Sequence, residues 1–125
     1  MDWIITIKEE YIEKILNGTK RYEVRTRIPK ELEIDDRIFV CKPKTQGKIV
    51  AMFEVTCVYR LGKIGAWELK KWWLGMSEKE YFEYVFAKDI VYLIKVKNAK
   101  SIEKPIYVKE LGIKKAPQWF AKVKR

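Results

Sequence analysis

Histidine is absent from the 125 residues of the chain, and its absence removes whole classes of chemistry. Without imidazole there can be no Ser-His-Asp or Cys-His catalytic centre and no metal site with histidine ligands. Cysteine is scarce too: Cys41 and Cys57 are too few for a four-ligand zinc site without histidine. We therefore expect no metal and no cofactor. Both cysteines lie in strand-like stretches and are predicted to fill the core, with a disulfide between neighbouring strands as the alternative.

Long apolar runs are lacking as well. No stretch approaches the roughly 20 residues of a membrane-spanning helix, and the first residues have no basic start typical of a signal peptide. We expect a cytoplasmic protein without a membrane partner, and a monomer. The length fits one domain over residues 1–125, and a hydrophobic content of 48% is enough for a core.

Positive charge is what the sequence has in excess. The chain carries 27 Lys and Arg against 17 Asp and Glu, a net charge of +10. Residues 88–125 alone hold 11 basic and 3 acidic side chains, a net charge of +8. A polyanionic partner such as nucleic acid is one explanation. The other is a thermophile-like surface, because Lys and Glu are abundant whereas Asn and Gln are few.

The apolar pattern predicts an α+β chain with about five to six strands. Helices are expected after Thr6, which has capping-box spacing to Glu9, over residues 67–74, and after Ser77, which has the same spacing to Glu80. Strands are expected over residues 3–7, 20–27, 37–41, 49–59 and 90–96, with a further apolar stretch at 106–111. Because this order is rich in hairpins, we predict a small mixed β-barrel with helices packed at its side.

The stretch from Gly18 to Arg25 is the most informative one for function. Lys20 lies in a turn after an amphipathic helix, and Glu23 and Arg25 share one face of the following strand because they are two positions apart. Cations around one carboxylate suit a phosphate group or the polar edge of a base. The alternative is an exposed strand with a Glu–Arg pair of little energetic value.

The same stretch and the strands after it resemble the ASCH domains of the PUA-like superfamily. The residues of this stretch match the family signature G-x-K-x-x-E-x-R at Gly18, Lys20, Glu23 and Arg25. Residues 32–38 are similar to the family's i-x-x-G-D-x-i turn, with Asp35 where the family often has Gly. Residues 49–58 are similar to its following strand, and Pro117-Gln118 to a C-terminal element.

This resemblance implies a small β-barrel with a cleft beside the first helix, lined by the motif residues. It also implies a role in binding RNA or another nucleic acid, in transcription, translation or RNA metabolism. Some branches of the family are enzymes, either ribonucleases or an amidohydrolase that acts on acetylated cytidine with a Lys-Thr-Glu set. Lys20 matches that catalytic lysine, but Glu23 stands at the threonine position, and Glu68 and Glu80 are candidates for the later carboxylate.

We therefore predict a nucleic-acid-binding domain, with single-stranded RNA favoured over DNA. Glu23 would orient Arg25 or accept from a base amino group, and an exposed Trp would stack a base. The alternative for the aromatic rings is a place in the core. Besides Glu23, the predicted interface consists of Lys20, Arg21, Arg25, Arg27, Lys42, Lys44, Lys48, Trp73, Gln118 and Trp119.

Two other functions remain open at the level of the sequence. One is a metal-independent hydrolase that uses Lys20 and Glu23, because lysine and carboxylate chemistry is almost all that is left without histidine. The other is a protein-interaction module that has no ligand.

Overall fold

A six-stranded sheet organises the molecule. The structure, a computed structural model, describes residues 1–124. In chain order the strands are β1 (Asp2–Thr6), β2 (Tyr22–Arg25), β3 (Arg37–Cys41), β4 (Lys48–Gly62), β5 (Ile90–Tyr107) and β6 (Ala121–Lys122). The α-helices are α1 (Glu9–Leu16), α2 (Lys63–Lys70) and α3 (Glu78–Tyr84), and short 3₁₀ helices cover Lys71–Trp73 and Val108–Leu111.

The sheet is open, which corrects the predicted barrel. Its strand order is β2-β5-β4-β3-β1-β6, so β2 and β6 are the edges, and only β1 and β3 pair in parallel. Two hydrogen bonds cross the opening between these edges. Arg25 of β2 donates from Nη2 to the carbonyl oxygen of Thr6 at 3.2 Å, and Trp119 donates from Nε1 to the carbonyl oxygen of Arg27 at 3.1 Å. The edge strands have four and two residues, so side chains rather than a backbone ladder bridge them.

Helix α1 packs against one face of the sheet and begins later than its sequence predicts. Ile12 and Ile15 are buried in the main core, as expected from their spacing. Lys8 is the N-cap residue and makes no side-chain capping bond. The predicted cap at Thr6 is wrong, because its hydroxyl donates instead to the carbonyl oxygen of Pro117 at 2.8 Å. Gly18 follows the helix with a φ of 84°, the left-handed conformation that glycine favours.

The segment between β4 and β5 holds α2, a 3₁₀ turn and α3 over a second core. Tyr81 of α3 and Leu74 before it are fully buried there against Leu93 of β5. The predicted capping box at the start of α3 is confirmed: the Ser77 hydroxyl accepts from the Glu80 N–H, and the Glu80 carboxylate accepts from the Ser77 N–H. This segment packs beside α1 and β2.

The turn before β3 shows why aspartate replaces glycine there. Asp35 has a φ of 71°, and Asp tolerates this left-handed conformation better than most residues. The buried Asp36 accepts hydrogen bonds from Trp3 Nε1 and from the Glu33 N–H, both at 2.9 Å. The turn keeps its tight geometry without glycine.

Cys41 is buried, Cys57 is half-buried, and both are free thiols, so the alternative of a disulfide is not realised. Within residues 1–124, no helix has the length and apolar character needed to span a membrane.

Candidate functional site

A pocket of about 460 Å³ lies beside α1, between the end of β1, strand β2 and helix α3. Four residues of the stretch from Gly18 to Arg25 meet in it, together with side chains from sequence-distant elements. The lining consists of Thr6, Ile7, Lys8, Tyr11, Lys20, Glu23, Val24, Arg25, Met76, Glu80, Glu83 and Tyr84.

Lys20 forms the floor of the pocket and is buried, with 2% of its surface exposed. Its Nζ donates to the carbonyl oxygen of Leu74 at 2.6 Å and lies 3.7 Å from a carboxylate oxygen of Glu23. The ammonium group also lies 5.0 Å from the centre of the Tyr11 ring. Burial lowers the pKa of Lys20, while the carboxylate of Glu23 opposes this shift. The ammonium group is thus fixed by three neighbours rather than free in a turn.

Glu23 and Arg25 form a wall of the pocket on one face of β2, as their spacing predicts. Glu23 is 5% exposed, and its Oε2 accepts from Arg25 Nε at 2.9 Å and lies 2.8 Å from Arg25 Nη2. Burial acts to lower the pKa of Arg25, but the adjacent carboxylate reverses this, so the pKa is raised. The pair is therefore not the weak exposed ion pair that the sequence leaves open.

The opposite wall is formed by α1 and α3, which are joined by a hydrogen bond between their side chains. The Tyr11 hydroxyl on α1 donates to Glu80 Oε2 on α3 at 2.7 Å. The backbone N–H of Ser77 and this hydroxyl lower the pKa of Glu80 to about 2. Burial and the same carboxylate raise the pKa of Tyr11. Of the two later carboxylates singled out in the sequence, Glu80 lines the pocket, whereas Glu68 is exposed on α2.

The turn at residues 73–75 holds the floor in place. Besides the bond from Lys20 to Leu74, Lys14 donates from Nζ to the carbonyl oxygen of Gly75 at 3.0 Å. Gly75 has a φ of 67°, and a β-carbon there would lie 2.7 Å from the Lys20 β-carbon. A glycine at this position thus allows the close approach of the buried lysine.

Two arginines stack on tryptophans just outside the lining, near the two ends of β2. The Arg21 guanidinium lies 4.0 Å from the centre of the Trp73 ring, and that of Arg27 lies 4.1 Å from the Trp119 ring. Each predicted stacking tryptophan therefore already has an arginine over its ring. The predicted phosphate contacts of Arg21 and Arg27 stay predictions.

The remaining predicted residues do not line the pocket. Lys42 pairs with Glu9 at 3.0 Å. Lys44 is exposed in the β3–β4 turn, and Lys48 begins β4 opposite Tyr107. Gln118 is exposed and does not line the pocket.

Acidic and basic side chains balance in the lining, with Lys8, Lys20 and Arg25 against Glu23, Glu80 and Glu83. The sequence predicts a basic cleft, whereas the basic surplus near this site comes from Arg21 and Arg27 outside the lining. Within residues 1–124, no three Cys, Asp or Glu side chains are grouped to hold a metal ion.

Sequence reasoning missed Tyr11 and Tyr84 as site residues. Tyr11 reads as part of the buried stripe of α1, and only the position of Glu80, 69 residues away, shows its polar role. The Ser77–Glu80 capping box is the signal that was available for α3, because it fixes where that helix begins. Tyr84 belongs to the aromatic residues of the segment between β4 and β5, but no local signal places its ring at the pocket.

A model of the ASCH domain family matches residues 5–116. The fold is similar to the crystal structure of ASCH from Zymomonas mobilis, with 19% identity and a TM-score of 0.88 over 99% of this chain and 88% of that one. A Tyr-to-Phe mutant of that protein gives the same identity and TM-score and is covered over 91%.

A more distant likeness is the N-terminal domain of Staphylothermus marinus McrB, with 12% identity and a TM-score of 0.55 over 88% of this chain and 78% of that one. At these identities the structural likenesses show the fold. The sequence matches none of the curated proteins with which it was compared.

Proposed function

The chain belongs to the ASCH domain family, and from this premise we propose that it binds single-stranded RNA and seats one unpaired base in the pocket beside α1. One observation carries the proposal: a buried carboxylate, Glu23, is held at the pocket wall next to the guanidinium group of Arg25. ASCH domains have a PUA-like fold and are commonly associated with RNA binding.

The chemistry of this wall suits a base edge better than a phosphate. A carboxylate accepts from an exocyclic amino group, and a guanidinium donates to a neighbouring ring nitrogen or carbonyl oxygen. Because the lining has as many acidic as basic side chains, a neutral base enters without charge repulsion, whereas a phosphate meets Glu23, Glu80 and Glu83. A volume of about 460 Å³ lies in the range of small-molecule sites.

Aromatic and guanidinium planes around the pocket supply stacking surfaces. Tyr84 lines the pocket and is 47% exposed, so part of its ring is open to a ligand. Arg21 on Trp73 and Arg27 on Trp119 offer further planes for the neighbouring bases. Base–aromatic stacking is worth about 1–3 kcal/mol per base and tolerates different sequences.

The experiment measures the affinity of a mixed-sequence, single-stranded 12-nucleotide RNA by fluorescence anisotropy. Glu23→Gln keeps the size of the side chain but removes the charged acceptor, and Tyr84→Leu removes a stacking ring. We expect each to weaken binding about 5- to 150-fold, the equivalent of about 1–3 kcal/mol. The control for the charge change is Glu103→Gln, an exposed carboxylate on β5.

Unchanged affinity in a folded Tyr84→Leu variant would contradict the pocket as the base site. This variant keeps the proposal testable if Glu23→Gln does not fold. If the wild-type protein binds no single-stranded RNA at low salt, the proposed function fails as a whole.

A hydrolase is the second candidate, because burial lowers the pKa of Lys20 and a carboxylate lies 3.7 Å away. Against it stands the bond from the lysine Nζ to the Leu74 carbonyl oxygen, which uses one of the three N–H donors and holds the group in place at the pocket floor. Incubation with labelled RNA and with acetylated cytidine, with and without chelator, tests this candidate. Turnover that survives chelation and is lost in Glu23→Gln would favour the enzyme over the binding domain.

A further inference from the structure

A groove of about 560 Å³ lies at the end of the β4–β5 pair where Lys48 of β4 faces Tyr107 of β5. An adjoining depression shares Lys109 and Lys114 with it and adds Gly112 and Ile113. The side chains that line the groove are Gln46, Tyr107, Lys109, Lys114, Lys115 and Ala116.

The three lysines of this groove are not neutralised within the protein. No carboxylate of residues 1–124 lies within 4 Å of Lys109, Lys114 or Lys115. Glu110 is their neighbour in the chain, but its carboxylate accepts from the backbone N–H of Tyr107 at 2.7 Å. All three side chains are exposed. The groove is therefore a local concentration of uncompensated positive charge, unlike the pocket.

The backbone that carries these lysines is well anchored. Val108 is 1% exposed, and its N–H donates to the carbonyl oxygen of Gly47 at 2.8 Å. Gly47 has a φ of 85°, and a β-carbon there would lie 2.5 Å from a methyl group of Val108. Ile113 donates back to the carbonyl oxygen of Val108 at 3.0 Å. The backbone next to the lysines is thus held in place by hydrogen bonds and by the close packing of Gly47 against Val108.

One hydrogen bond joins the groove to the pocket. Thr6 lines the pocket, and its hydroxyl donates to the carbonyl oxygen of Pro117 at 2.8 Å. Pro117 directly follows Ala116, which lines the groove. The segment 114–117 therefore runs from the lysines to the rim of the pocket.

We infer that this groove is a second subsite, which binds the phosphates of the strand whose base occupies the pocket. The inference rests on the proposed function. Lysine ammonium groups bind phosphates as point charges, and contacts to the backbone position a nucleic acid without reading its sequence. The subsite also accounts for part of the positive charge that the sequence concentrates in residues 88–125.

The first test is the salt dependence of binding to a single-stranded 12-nucleotide RNA and to DNA of the same sequence. The groove variant replaces Lys109, Lys114 and Lys115 with Gln, and the control variant makes the same change at the exposed Lys30, Lys88 and Lys100. Each phosphate contact contributes about 0.7 to the slope of log affinity against log salt for a single strand. We expect the groove variant to lower the slope by roughly 2 with either nucleic acid and the control to leave it unchanged.

The second test needs no RNA binding. Inorganic tripolyphosphate is titrated into the ¹⁵N-labelled wild-type protein, and we expect the amide shifts of residues 109–116 to move. If RNA does not bind but these amides respond, the proposed function fails and the anion-binding groove stands. If RNA binds but the groove and control variants have the wild-type slope, or fall equally, the inference is overturned. It is also overturned if the amides do not respond.

Discussion

The pocket and the groove are both concave, but the buried charges of the pocket are paired whereas the lysines of the groove are not. In the pocket each buried charge has a partner, since Glu23 lies between Lys20 and Arg25. In the groove, Lys109, Lys114 and Lys115 have no partner carboxylate within residues 1–124. Paired and buried charges are fixed in place and can discriminate between ligands, whereas unpaired surface charges attract any polyanion. The comparison teaches that the unpaired positive charge of the groove and the proposed recognition site are in different places.

The largest expected effect tests whether the charges of the pocket are interdependent. Glu23→Leu leaves Lys20 buried without a carboxylate, and removal of one partner from a buried pair costs about 3–5 kcal/mol. We expect the free energy of unfolding in urea to fall by that amount. Lys114→Gln is the matched change in the groove and should stay within about 0.5 kcal/mol of the wild type.

Lys20→Met tests the same pairing by removing the lysine instead of the carboxylate. Glu23 then keeps Arg25 as its partner, so we expect a smaller loss of stability than in Glu23→Leu. An equal loss in both variants, or a large loss in Lys114→Gln, would break the distinction between paired and unpaired regions.

A smaller effect is expected from the glycine behind the pocket floor. Gly75→Ala introduces a β-carbon 2.7 Å from that of Lys20 at a positive φ, so strain should lower the free energy of unfolding by more than about 1 kcal/mol. The control is Gly65→Ala in α2, where the β-carbon meets nothing within 4 Å and alanine should stabilise the helix by about 0.5–1 kcal/mol. Thermal unfolding of both variants measures the difference, and a neutral Gly75→Ala would show that Lys20 is free to move.

The smallest effect is a pH dependence at the wall between α1 and α3. The pKa of Glu80 is lowered from 4.5 to about 2, so its contribution to stability is present above pH 4.5 and is lost as pH falls through about 2. The stability difference between wild type and Glu80→Gln should therefore shrink from pH 5 to pH 2. Urea unfolding at several pH values measures it, and a difference that does not change with pH would contradict the role of the Glu80 carboxylate as the acceptor for the Ser77 N–H and the Tyr11 hydroxyl.

Much of the fold was predictable because local patterns determine it. The bounds of β3 agree with the prediction from residues 37–41, and the Ser77–Glu80 capping box starts α3 as expected. The strand after α3 is much longer than predicted, because β5 continues to Tyr107 through polar residues that pair with β4. Whether a sheet closes depends on how far its edges are apart, which no local pattern encodes.

For the site, the spacing of Glu23 and Arg25 indicated one shared face, and the structure has it. The sequence places Lys20 in a turn after α1, but it does not show that the carbonyl oxygen of Leu74, 54 residues away, accepts a hydrogen bond from the lysine ammonium group. Composition shows that the positive charge is concentrated in the C-terminal third. It does not show that three of these lysines line one groove, because a turn at Gly112 brings residues 114 and 115 close to Lys109. Both features depend on contacts between residues far apart in the sequence.

The most direct test of the division between pocket and groove compares two ligands. One is the 12-nucleotide single-stranded RNA, and the other is a 12-unit abasic oligonucleotide, which keeps the phosphates and has no bases. For each, the measured quantity is the ratio of wild-type affinity to that of Tyr84→Leu. We predict a ratio of about 5 or more with RNA and of about 1 with the abasic strand. Equal ratios with both ligands would contradict the account, because the pocket would then bind the backbone and not a base.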